Sequence, residues 1–185
     1  MRHDVLATEV YSLLRRLGLP TRYEPRGLLP HAGKGGPDVL AMNFPVDTAA
    51  TLFDVSVINV RACKSALGRE SLPLTAARAR DKTKENQWGG ACKEGYMRFE
   101  PLSFEAQGAF GGGVRRLLKY ARGAFADEEP LPYDGDELKD ERDRTWLAPT
   151  EYQYRFQRLV VALARWNSKM VLSGLMALEG IRIPK

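Results

Sequence analysis

Long apolar runs are missing from this chain of 185 residues. No stretch approaches the roughly 20 residues that a membrane-spanning helix needs, so no membrane partner is expected. Histidine is nearly absent. His3 and His31 are too few for a histidine-based zinc site. Cysteine is equally scarce, and Cys63 and Cys92 stand in no metal-ligand spacing. They fit free thiols in a reducing, intracellular compartment rather than a disulfide framework. The opening residues Met1-Arg2-His3-Asp4 begin an amphipathic segment and lack the apolar core of a signal peptide. There are no internal repeats and no low-complexity tract.

What is present is ordinary in bulk and uneven in detail. The chain is 44% hydrophobic and 28% charged, a balance typical of a soluble globular protein. Its length accommodates one sizeable domain, or a domain with an appendage. The net charge is +5, yet 127–144 holds nine acids and three bases, a net of −6 that leaves +11 on the rest. A basic body beside a separate acidic segment fits a polyanion partner, most simply nucleic acid.

Two short apolar stretches organise the chain. The first is Gly36-Pro37-Asp38-Val39-Leu40-Ala41-Met42. The second is Thr51-Leu52-Phe53-Asp54-Val55-Ser56-Val57-Ile58-Asn59-Val60. Both read as strands rich in branched residues, and each carries one aspartate among apolar neighbours. An ionised carboxylate in such a setting is costly unless something pairs with it. Asp38 and Asp54 are about one hairpin apart, so they can lie side by side and share a divalent cation. The plainer alternative also stands at this point: Asp38 follows a turn proline, and Asp54 forms an ordinary salt bridge.

The other elements follow from periodicity. Leu6, Val10, Leu13, Leu14 and Leu17 form the apolar stripe of a helix over 4–17, with Gly18 as stop and Pro20 as breaker. Glu9 lies at the edge of that stripe, where the helix should meet the sheet. A short strand over 21–24 ends at Pro25. The glycine-rich loop 26–36 carries Arg26, His31 and Lys34 but no Walker spacing. After a loop over 61–73, a charge-dense helix is expected over 74–88, with Thr75 as N-cap and Gly89-Gly90 as its end. A strand follows over 97–106, then a flexible turn over 108–113. A basic helix over 114–125 bears Arg115, Arg116 and Lys119. The acidic segment reads as a long loop or mobile insert. A last helix runs over about 151–178, with Gly174 as a candidate kink. The expected organisation is a core over 1–126, an acidic insert over 127–149 and a C-terminal helix over 150–185 packing on the core.

The order helix, strand, strand, strand, helix, strand is that of an α/β protein, and it resembles the αβββαβ core of restriction-endonuclease-like enzymes. Pro37-Asp38 and Asp54 match the metal-binding pattern of that fold family, and Ser56 stands where the usual pattern has lysine. More closely, the chain resembles the restriction-like, PD-(D/E)xK endonuclease domains of non-LTR retrotransposons. The residues carrying this resemblance begin with Arg2-His3-Asp4, Glu24-Pro25, Pro37-Asp38-Val39-Leu40 and Phe53-Asp54-Val55-Ser56-Val57. They continue with Ala76-Ala77 through Lys84 to Trp88, Cys92, Gly95, Phe99-Glu100-Pro101-Leu102 and Phe104-Glu105. They end with Arg158-Leu159-Val160-Val161-Ala162-Leu163 and Asn167. Family members often read Lys-Tyr where this chain has Gln87-Trp88. The match covers most of the chain outside the acidic segment.

The resemblance implies a mixed central sheet flanked by helices with a C-terminal helical extension, and Mg²⁺- or Mn²⁺-dependent hydrolysis of DNA. It implies that Asp38 and Asp54 ligate the metal, helped by a backbone carbonyl near Val55. A lysine from the following helix, Lys84 or Lys82, would enter the site in place of the missing strand lysine. Glu9 would complete a second metal site, with Glu105 as another spare carboxylate. Arg26, Lys34, Arg78, Arg115, Arg116 and Lys119 are the candidates for neutralising phosphates. No base-reading module is visible, so weak sequence preference on duplex or branched DNA is expected. The apolar face of the C-terminal helix can pack on its own core or on a second copy in a homodimer, while the likeness implies association with other retroelement domains and, in a eukaryotic retroelement, a nuclear location. The alternative is an inactive nucleic-acid-binding or protein-interaction domain that keeps the fold, which Ser56 favours.

Overall fold

The computed structural model describes residues 4–29, 36–45, 50–60, 74–127, 148 and 150–178. Helix α1 (Asp4–Arg16) buries Leu6, Val10, Leu13 and Leu14 almost completely. Asp4 in its first turn and Arg15 and Arg16 in its last complement the helix dipole. Its end is a Schellman turn, in which Gly18 N–H bonds Arg15 C=O and Leu19 N–H bonds Leu14 C=O. Gly18 has φ 74°, a conformation that only glycine adopts without strain.

Strands β1 (Thr21–Tyr23), β2 (Val39–Ala41), β3 (Thr51–Ile58) and β4 (Arg98–Glu105) form one sheet in the order β1-β2-β3-β4. The first three run antiparallel, and β4 lies parallel to β3. Pro101 in the middle of β4 offers no N–H for a further strand, which suits its place at the sheet edge. A parallel neighbour requires a crossover, and that connection carries α2 (Thr75–Lys84), a π-helical turn (Glu85–Gly89) and α3 (Gly90–Glu94).

The alternation of β3 separates two apolar layers. Phe53 and Val55 join Leu102 and Phe104 of β4 in the main core, under α1, α4 (Gly112–Ala124) and α5 (Glu151–Leu178). Leu52 points the other way, into a smaller cluster with Trp88 and Cys92. The result is a four-stranded mixed sheet with helices on both faces. Asp54 and Ser56 share the Leu52 face, so they look toward α2.

Several sequence expectations need correction. The glycines Gly89 and Gly90 do not end the helix. Both hold right-handed helical angles, and the chain continues helically to Glu94. Burial of Trp88 and Cys92 against the sheet outweighs the cost of about 1 kcal/mol for each helical glycine. Thr75 is the first helical residue and not the cap. Leu74 precedes it at φ 65°, with no side-chain cap bond. Helix α4 begins at Gly112, inside the stretch expected to be a turn. There the helix presses on β4 so closely that a Cβ on Gly113 would overlap the Pro101 carbonyl oxygen. β2 is only Val39–Ala41, and Asp38 stands one residue before it. α5 continues through Gly174 as one helix and packs on the core through Leu159, Ala162 and Leu163. His3, His31, Lys34, Cys63 and nearly all of the acidic segment lie outside the described residues.

Candidate active site

The backbone of Asp38 is held from both sides. Its N–H donates to Phe53 C=O at 2.8 Å, and its own C=O accepts Glu24 N–H at 2.7 Å. The β2–β3 pairing ends at Val39–Phe53, and Asp38, bonded to Phe53 C=O just before it, lies within electrostatic reach of Asp54. The Asp38 carboxylate turns toward β3 and accepts Val55 N–H on Oδ2 at 2.6 Å. What the structure shows of Val55 is this N–H, spent on fixing Asp38.

Asp54 is only 3% exposed. Its Oδ1 accepts Lys84 Nζ at 2.8 Å, and its Oδ2 accepts the Ser56 hydroxyl at 3.2 Å. Lys84 reaches the site from the last turn of α2, and its side chain is 15% exposed. Burial pushes the Asp54 carboxyl above its ordinary range. Lys84 opposes that shift, Asp38 adds to it and Ser56 opposes it. The Asp38 and Asp54 carboxylates and the Lys84 ammonium are thus neighbours between the sheet and α2.

Of the two candidate lysines, the structure brings Lys84 to Asp54. Lys82 is exposed on the same helix. Helix α2 is held in place at its N-terminus by Glu105 of β4, whose Oε1 accepts Ala77 N–H at 3.0 Å. Glu105 is therefore committed to the orphan donors of a helix. Asp81, on the same helix, is pushed up by burial, with the Ser103 hydroxyl and Gly112 N–H favouring its charged form.

Glu9 is engaged elsewhere. Its Oε1 accepts Arg158 Nη2 at 2.8 Å and links α1 to α5. Its Oε2 is buried with no hydrogen-bond partner among the described residues. Arg26 pairs with Glu24 at 3.1 Å on the surface, and Arg78 is exposed on α2. Arg115 donates Nε–H to Phe110 C=O at 3.0 Å. Arg116 binds the buried Glu100 through Nε at 3.1 Å. Arg116 and Lys119 line an open groove of about 570 Å³ with Arg98, Phe44 and Tyr120. That groove belongs to the α4 side of the sheet, so these cations are not gathered at Asp54. Cys92 is a free, buried thiol whose pKa is pushed up to about 11 by burial and by Glu85, which keeps it unreactive.

Sequence reasoning missed two participants. Ser56 was seen only as a departure from a lysine, yet it bonds Asp54. Arg80 is one of the many charges of the helix expected over 74–88, and its Nε–H approaches Ser56 Oγ at 3.4 Å. The available signal was spacing: Asp54 and Ser56 are i, i+2 on a strand, and Arg80 and Lys84 are i, i+4 on a helix.

Among the described residues, no three or more His, Cys, Asp or Glu stand together as a metal-holding group. The donor set offered is thus two carboxylates. Mg²⁺ commonly takes one or two carboxylates and keeps several waters. The residues present fit such an ion. No protein-family model matches the chain, and no characterised protein matches it in sequence.

Proposed function

We propose that this chain is a divalent-metal-dependent endonuclease of the restriction-like, PD-(D/E)xK type, acting on DNA with little intrinsic sequence preference. The observation that carries this reading is the meeting of Asp38, Asp54 and Lys84 at one point between β2, β3 and α2. The antiparallel β1-β2-β3 followed by α2 and a parallel β4 supports it, because this is the element order of the restriction-endonuclease-like core.

In this reading Asp38 and Asp54 hold Mg²⁺ or Mn²⁺, which when bound lowers the pKa of a coordinated water and stabilises charge on the phosphate. The chain's own residues supply the rest. Val55 N–H fixes the rotamer of the Asp38 carboxylate. Lys84 holds Asp54 in orientation and places a positive charge beside the carboxylate pair. An ammonium at this position favours the negative charge that develops as a phosphodiester is attacked. Lys84 thus takes the part of the lysine missing at Ser56, reaching the same carboxylate from the helix rather than the strand. Water access is limited by the burial of Asp38, Asp54 and Ser56, which strengthens these interactions.

The competing reading is a DNA-binding domain without activity. It draws on Ser56 and on the engagement of Lys84 with Asp54. Labelled branched, duplex and single-stranded DNA would be incubated with Mg²⁺, Mn²⁺ or chelator, using the wild type, Asp54→Asn and Lys84→Ala. Metal-dependent cutting by the wild type, lost in both variants, is expected. Intact binding with no cutting in either metal would overturn the nuclease in favour of the binding domain.

A further inference from the structure

We propose that Arg80 is a phosphate-binding residue of this site, presenting its two terminal guanidinium nitrogens to the non-bridging oxygens of a phosphodiester while Ser56 braces its Nε. The inference rests on reading the site as one that meets a phosphodiester. Arg80 and Lys84 stand one turn apart on α2, on the face that looks at β3. They bracket the Asp54–Ser56 pair from its two ends: Lys84 on Asp54 Oδ1, Arg80 on Ser56 Oγ.

The two cations differ in what they have left to give. Lys84 is mostly buried, and its ammonium is bound to Asp54. Arg80 is exposed, and Nε–H to Ser56 is its one side-chain hydrogen bond among the described residues. A guanidinium carries five N–H donors, so four remain on the terminal nitrogens. Those four form the planar fork that matches two phosphate oxygens. Ser56 ties the fork to the candidate metal ligand, because the same hydroxyl that accepts from Arg80 donates to Asp54. The chain Asp54–Ser56–Arg80 therefore sets one face of the fork beside the carboxylates. A phosphate that approaches this site along α2 would meet it.

The test separates this inference from the nuclease reading. Binding of a labelled DNA duplex is measured in chelator across a range of salt, for the wild type, Arg80→Ala, Arg80→Lys and Arg122→Ala. Arg122 is exposed on α4 and controls for the loss of one surface charge. The slope of log affinity against log salt should fall by about 0.9 in Arg80→Ala, the loss of one phosphate contact on duplex DNA. It should be kept in Arg80→Lys and unchanged in Arg122→Ala. Thermal melting confirms that each variant folds. An Arg80→Ala slope equal to that of the wild type overturns the inference, whatever the cleavage assay gives. A reduced slope with no wild-type cutting upholds Arg80 as a phosphate ligand and removes the nuclease. Wild-type protein that binds no DNA removes both.

Discussion

Lys84 Nζ lies 2.8 Å from Asp54 Oδ1, joining the last turn of α2 to the centre of β3 across 30 residues of chain. The pair is nearly buried, so its loss has two consequences. Lys84→Ala should lower cleavage at least 100-fold, about 2.7 kcal/mol of barrier, if its charge sits beside the reacting phosphate. It should also destabilise the fold by up to about 3–5 kcal/mol, because it strands a buried carboxylate. Single-turnover cleavage and urea unfolding measure the two effects separately. A variant that cuts normally would place the ammonium outside the chemistry.

Asp54 gives a pH prediction with a definite sign. Burial raises its folded-state pKa above the unfolded 3.8. Between those two values the folded chain binds more protons than the unfolded one, so the carboxyl's contribution to stability falls as pH rises through that window. Asp54→Asn mimics the protonated form. It should match the wild type in stability below pH about 3.8 and exceed it at pH 7 while abolishing cleavage. Denaturation curves at the two pH values check this. A variant less stable than the wild type at neutral pH would show that the Lys84 pair outweighs burial.

Added Mg²⁺ should reverse that order. A cation bound to Asp38 and Asp54 stabilises the folded wild type by RT ln(1 + [Mg²⁺]/Kd), about 2.7 kcal/mol at a hundredfold excess over Kd. The melting temperature of the wild type should rise with millimolar Mg²⁺, and that of Asp54→Asn should not. An equal response in both would move the ion away from this site.

The nearness of Asp38 to Asp54 was legible because it is local. A proline-aspartate at the start of one strand and an aspartate within the next lie one hairpin apart, and strand register does the rest. The order of elements was legible for the same reason, since each has its own apolar period. The long α5 kept that period through Gly174. What failed was whatever depends on packing between distant elements. Gly89-Gly90 looks like a stop until Trp88 and Cys92 are seen buried on either side of it. Thr75 looks like a cap until Glu105 supplies the cap from β4. Arg80 and Ser56 look unrelated until the rotation of α2 on the sheet is known. Lys82 and Lys84 were indistinguishable by composition; the family likeness matched Lys84 better, and the rotation of α2 brings Lys84 to Asp54.

The last prediction concerns Glu105, which accepts Ala77 N–H at 3.0 Å and so holds the start of the helix that carries Arg80 and Lys84. The carboxylate is 5% exposed and sits where the helix dipole favours negative charge. Glu105→Gln keeps an oxygen acceptor and loses the charge, at a stability cost of about 0.3–2 kcal/mol. Glu105→Ala loses both and leaves a buried N–H without a partner, at a cost of about 1–3 kcal/mol. Neither side chain touches Asp54, so any loss of cleavage in the folded variants must come through the placement of α2. Cleavage should therefore fall further in Glu105→Ala than in Glu105→Gln. The salt slope of DNA binding should stay unchanged in both, because the phosphate-facing charges remain. If Glu105→Gln instead abolished metal-dependent cutting while matching the wild type in stability, the carboxylate would be acting as a metal ligand, and its bond to Ala77 would be incidental.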